Sequence, residues 1–238
     1  MIVDAILTPA EIALLPEAEL SDATCVVFDV LRATSSMVTA LAHGAAEIIP
    51  VRTIEEAWAV KEQRPDALLG GERHGDRIEG FDLGNSPFEY RELAGRTVIS
   101  TTTNGTIALR ACEKAPRVLV GAILNLGALA EELRRRPPAR LVLVCAGTFA
   151  TFALEDAWAA GRLIQLLEAA NLADSAQAVL AIAAAQLDPL AALRGARNGR
   201  ALSAKQREAE IGWCARESVF SVNGTLERGI VRAVPAEL

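Results

Sequence analysis

Hydrophobic and polar positions follow two rhythms along this chain. Short apolar runs of strand length, Cys25–Phe28, Ile48–Val51, Ala67–Leu69, Thr97–Ser100, Val118–Gly121 and Leu141–Cys145, are each followed by segments whose apolar residues return at helical spacing. That alternation predicts an α/β fold, with a mostly parallel or mixed sheet covered by helices. Residues 1–238 are read as one such domain, a length that buries a large core.

Local signals predict where helices begin and end. Thr53-Ile-Glu-Glu56 and Ser203-Ala-Lys-Gln206 have the spacing of capping boxes, and Pro65 stops the first of the two helices. The alanine-rich stretch from about 172 to 217 predicts a flank of two or three helices, the first interrupted near Asp188-Pro189. Between Val219 and Val234 the apolar alternation around Asn223-Gly224 predicts a terminal strand pair turning at that dipeptide.

Composition refines this picture by exclusion. A hydrophobic fraction of 51% with 4% aromatics suits helices packed on a sheet better than an all-β sandwich. The net charge is −6, and the longest basic block, Arg134-Arg135-Arg136, stands where a helix should end, which argues against a nucleic-acid partner. Asp4 and Glu11 near the start do not make a signal peptide, and the longest apolar run, Ala178–Ala185, is too short to span a membrane. Cys25, Cys112, Cys145 and Cys214 never form C-x-x-C and read as small buried residues in a reducing, cytoplasmic setting.

Three strand ends share one design. Asp29 to Ser36 follows the first run, Thr101-Thr102-Thr103-Asn104-Gly105-Thr106 the fourth, and Ala146-Gly147-Thr148 the sixth. In an open α/β sheet the loops at the carboxyl ends of strands surround the ligand crevice, and helix N-termini point into it. Thr101 to Asn104 can donate to an anion there, and Gly105 lets the backbone approach a phosphate closely. Helix capping by Thr103 or Asn104 is the competing reading, and it explains one or two residues of the run.

Carboxylates are the second ingredient. Asp29 ends an apolar run, so its charge needs a partner such as Arg32 or a metal ion. Glu72 follows Gly70-Gly71 at another strand end, with Arg73 beside it. Glu155 and Asp156 lie about 100° apart around one helix, leaving either free to face solvent. Several hard oxygen ligands and two histidines, His43 in a last helical turn and His74 in a polar loop, favour Mg²⁺ over zinc and give neither histidine a catalytic role. Neither G-x-G-x-x-G nor a Walker lysine follows any strand, against a nucleotide-using enzyme.

The ordered blocks Phe28-Asp29-Val30-Leu31-Arg32-Ala33-Thr34, Gly71-Glu72-Arg73, Glu79-Gly80-Phe81-Asp82-Leu83-Gly84-Asn85-Ser86-Pro87, Thr101 to Thr106 and Cys145-Ala146-Gly147-Thr148 resemble the 2-phosphosulfolactate phosphatase family. The resemblance implies a three-layer α/β/α fold and a Mg²⁺-dependent hydrolase that converts 2-phosphosulfolactate, or a similar small 2-phospho-hydroxyacid, to sulfolactate and phosphate. It also implies a place in coenzyme M biosynthesis. On that reading Asp29, Arg32 and Glu72 are catalytic, and Mg²⁺ is held by Asp29 and Glu72 with one or both of Glu155 and Asp156. Thr102, Thr103, Asn104 and Gly105 bind phosphate. Thr34, Arg73, Asn85, Ser86, Asn125, Gly147 and Thr148 complete the substrate contacts. Direct attack by water and a phosphoryl-aspartate on Asp29 both stay open.

Phe149 and Ala153 stand where the family favours acidic and hydroxyl residues, which keeps a non-catalytic small-anion-binding protein as the alternative. The segment Glu210 to Glu217 matches the family weakly and receives no function. A homodimer is expected, two-fold symmetry being the commonest assembly.

Overall fold

The computed structural model describes residues 1–14 and 20–234. Its described residues form an α/β structure around a mixed, mostly parallel sheet of ten strands. One parallel set contains, in spatial order, β1 (Ile2–Ile6), β8 (Arg140–Cys145), β2 (Ala23–Phe28) and β7 (Arg117–Gly121). A second set contains β3 (Glu47–Pro50), β6 (Thr97–Thr101) and β4 (Leu68–Arg73), with the short antiparallel β5 (Asp76–Arg77) at its edge.

Between the sets stands the hairpin of β9 (Asn223–Glu227) and β10 (Ile230–Val234). It is antiparallel to β7 on one side and to β3 on the other, so the second set is reversed along the sheet relative to the first. Five strand-to-strand steps separate β2 from β6. At about 20–25° of twist per step, the reversed set is turned by more than about 100°. The accumulated turn lets the carboxyl ends of β2, β4, β6 and β8 face one cleft.

Strand β2 shows why the sheet is covered twice. Cys25 and Val27 enter one hydrophobic core and Val26 and Phe28 the other, because successive side chains point to opposite faces. Over the first face lie α2 (Ala33–Ala42) and α4 (Gly105–Ala111); over the second lie α5 (Leu126–Arg135) and α6 (Leu154–Leu167). In α5 the buried residues Leu126, Leu129, Ala130 and Leu133 recur at the spacing of one helix face. A third cluster packs Ile49, Leu69 and Ile99 of the second set against Ala57 of α3 (Ile54–Gln63).

The punctuation holds in part. Thr53 accepts the Glu56 N–H at 3.1 Å while the Glu56 carboxylate takes the Arg52 N–H at 2.8 Å, and α3 ends before Pro65. The second capping box does not form: Ser203 lies in the last turn of its helix, its carbonyl accepts the Gln206 N–H at 2.9 Å, and Gln206 is left-handed with φ 57°. The flank contains four helices, one more than the sequence pattern indicated: α7 (Asp174–Ala185), α8 (Pro189–Gly195), α9 (Arg197–Ala204) and α10 (Glu208–Cys214). Asp188 caps α8 by accepting the N–H groups of Leu190 and Ala191.

The terminal strand pair is present, but it turns at Arg228-Gly229 and not at Asn223-Gly224. Gly224 lies inside β9, where an added Cβ would sit 2.8 Å from Leu41 Cδ1. Its smallness serves a close approach to α2. All four cysteines are buried and free of disulfides, and among the described residues no single helix is long and apolar enough to cross a membrane.

Candidate active site

Loops leaving β2, β4, β6 and β8 enclose a cavity of about 150 Å³. Asp29, Glu72, Thr103, Asn104, Gly147 and Thr148 line it, and Asn198, Ala201, Leu202 and Lys205 join them from α9 and its C-terminal end. The three loops singled out in the sequence therefore meet, and the β4 loop joins them.

Asp29 is fixed from several directions. Its backbone N–H donates to Thr34 Oγ1 at 3.0 Å, the Thr34 N–H returns a bond to Asp29 O at 3.0 Å, and the Asp29 carboxylate accepts the Ala33 N–H at 3.1 Å. The nearby Gly105 N–H also favours the charged form of that carboxylate. Only glycine suits position 105, since a Cβ there would stand 2.6 Å from Asp29 Oδ2. Burial, together with the negative charges of Glu72 and Glu155, pushes the Asp29 carboxyl up to about 7, against the opposing pull of the two N–H groups.

The hydroxyl run after β6 divides its tasks. Thr101 Oγ1 accepts from Arg73 Nη2 at 3.0 Å. Thr102 and Thr106 cap each other, the N–H of each donating to the hydroxyl of the other at 3.0 and 3.1 Å. Asn104 clamps the β8 loop: its amide donates to Ala146 O and Phe149 O, and its carbonyl accepts the Phe149 N–H. Thr103 differs. Its N–H donates to Glu72 Oε1 at 2.7 Å, whereas its hydroxyl is buried at the cavity with no protein partner.

Glu72 accepts the Gly75 N–H on its other oxygen, also at 2.7 Å, which orients the carboxylate at the cavity wall. Asp156 takes the Val30 N–H at 2.8 Å and the Gly147 N–H at 3.0 Å, tying the β2 and β8 loops together from behind. Glu155 accepts from the Asn198 amide at 2.6 Å and leaves its second oxygen buried and unpartnered. Both residues are almost wholly buried, so neither faces solvent, and burial raises both carboxyl pKa values. Neither lines the cavity.

Other sequence-derived candidates fall in different places. Arg32 lines the cavity but does not pair with Asp29: it makes an ion pair with buried Glu210 and donates to Gly75 O at 2.8 Å. Arg73 lies outside the cavity and spends itself on Glu72 O and Thr101. Asn85 lines the cavity, whereas Ser86 faces a neighbouring groove with Arg77 and Arg207. Thr148 lines the wall and accepts from Asn198 at 2.7 Å. Asn125 is away from the site; it joins the Ala122 N–H to the carbonyls of Val120 and Val222, pinning β7 to the segment before β9.

Four contributors were not found from sequence. His74 lines the cavity beside Phe149, their ring centres 5.6 Å apart, and Asn198, Lys205 and Glu210 arrive from the helical flank. His74 sits two residues after Glu72, which was the one available signal.

Among the described residues no group of three His, Cys, Asp or Glu side chains is placed to hold a metal ion unaided. Mg²⁺ asks for less, commonly one or two carboxylates with water and substrate phosphate filling the other positions. Asp29 and Glu72, facing the same cavity, fit that requirement.

The model of the 2-phosphosulpholactate phosphatase family matches residues 9–229. A Thermotoga petrophila protein is 37% identical over 92% of this chain and 96% of its own length. One from Deinococcus radiodurans is 40% identical over 91% and 92%, and one from Carboxydothermus hydrogenoformans 40% identical over 87% and 89%. All three bear the name "probable 2-phosphosulfolactate phosphatase". With nearly the whole length matched, the chain belongs to the 2-phosphosulfolactate phosphatase family.

Proposed function

We propose that this cleft hydrolyses the phosphate ester of 2-phosphosulfolactate to sulfolactate and phosphate, with Mg²⁺ held by Asp29 and Glu72. The observation that carries the reading is the convergence of these two carboxylates beside the unpartnered Thr103 hydroxyl in one small cavity. A volume of about 150 Å³ is in scale with a three-carbon phosphoacid. The names of the relatives support the same substrate.

Charge argues for the ion. A phospho-acid carrying several negative charges is repelled by Asp29 and Glu72 unless a cation stands between them. Bound Mg²⁺ would supply neutralisation of the phosphoryl oxygens. The protein's own part is positioning: Thr34 and Ala33 hold Asp29, while Thr103 and Gly75 hold Glu72. The Thr103 hydroxyl is free to donate to a phosphoryl oxygen. Asp156 and Asn104 keep the surrounding loops in register.

The test is phosphate release from 2-phosphosulfolactate and a panel of 2-phospho-hydroxyacids, with Mg²⁺ and with chelator. Release should depend on Mg²⁺, and Asp29→Asn should lower it by at least about 100-fold. Saturable binding without release from any ester would replace the phosphatase by a small-anion-binding protein.

A further inference from the structure

Lys205, the residue that follows α9, lines the cavity beside the His74-Gly75 turn, whose Gly75 N–H holds Glu72. Its ammonium donates to Asp76 Oδ2 at 2.7 Å and to His74 O at 3.2 Å. A lysine ammonium has three donors, so one is left. Asp76 is shared: Arg207 reaches its other oxygen at 3.2 Å. Two cations on one carboxylate leave a surplus positive charge at the cavity rim. Arg32, the other strong cation on the wall, is compensated by Glu210 and also spent on Gly75 O.

From this geometry we propose that Lys205 is a substrate-specificity residue, which binds the acid group at the end of the substrate away from the phosphate. The proposal rests on the phosphatase reading above. Phosphate placed against Asp29, Glu72 and Thr103 directs the remainder of a small phosphoacid toward α9. There Ala201 and Leu202 offer apolar contact, and Lys205, which shares Asp76 with Arg207, offers its remaining N–H donor. Sulfonate and carboxylate share the required chemistry, a compact oxyanion accepting a charge-assisted hydrogen bond.

The experiment compares wild type with Lys205→Met and Lys205→Arg on three esters: 2-phosphosulfolactate, 2-phospholactate, which lacks the sulfonate, and 2-(phosphonooxy)ethanesulfonate, which lacks the carboxylate. Lys205→Met should raise KM for 2-phosphosulfolactate about tenfold or more while kcat changes less than about twofold, and Lys205→Arg should recover most of the loss. The ester whose KM does not respond to Lys205→Met identifies the acid group that Lys205 reads. An unchanged KM for 2-phosphosulfolactate, or an equal rise for all three esters, would overturn the proposal while leaving the phosphatase standing.

Binding of the product, sulfolactate, is measured by calorimetry on the same proteins. If wild type hydrolyses nothing yet binds sulfolactate in a Lys205-dependent way, the phosphatase reading fails and the specificity residue survives. Sulfolactate binding that is equal in wild type and Lys205→Met counts against it.

Discussion

Asp29 is costly to keep charged, and that cost is measurable. Its folded pKa of about 7 lies above the value of about 3.9 for an unperturbed aspartate, so the unfolded chain binds fewer protons between about pH 4 and 7. Stability from this group is full below about pH 4 and is lost as pH rises through about 7; Glu155 and Asp156, also raised, act with the same sign. In chelator, the melting temperature should fall across that window, Asp29→Asn should flatten part of the slope, and Mg²⁺ should restore stability near pH 8. An unaltered slope in Asp29→Asn would show that the aspartate is not its source. Asp156→Asn should lower stability by about 1–3 kcal/mol in urea melts, because one of its two backbone donors would face an amide instead of an acceptor. The sequence disclosed residue types at strand ends, and Asp29, Glu72 and Thr103 followed from that. It did not disclose which donors the protein had already used: Thr102, Asn104 and Arg73 look equally available on paper and are all engaged internally.

Elements meet most tightly where side chains are smallest. Gly161 of α6 faces α7, and a Cβ there would lie 1.9 Å from Val179 O. Gly161→Ala should therefore destabilise the protein by about 1–3 kcal/mol or more, read as a lower urea midpoint at unchanged slope. Asp188→Ala should cost about 1 kcal/mol by uncapping α8. The Asp188-Pro189 break was readable because the cap and the proline act within one turn of chain. Ser203 and Asn223-Gly224 misled because their local signals are those of a helix start and a turn: Ser203 instead closes α9 by accepting the Gln206 N–H, and at Gly224 packing against distant Leu41 overrode the turn signal. Asn198 and Lys205 were unreadable as site residues because their partners, Thr148 and His74, lie 50 and 131 positions away.

At the scale of the whole molecule, the two parallel sets are joined through a narrow seam. Strand β7 meets β9 over Leu119 and Val120, and β10 meets β3 through one register pair, Val231 with Ile48, among the described residues. Strand β2, by contrast, is paired along its length on both sides. Amide hydrogen exchange should accordingly be slowest in β2 and β8 and faster at β10 and β3. That hairpin is also the latest of the described elements in chain order, so during synthesis a ribosome releases both blocks before the piece that couples them. A nascent chain short of about residue 230 would hold the Asp29 and Glu72 halves together only through their shared core with α2 and α4, without the strands that continue the sheet between them, and full catalytic competence would arrive late.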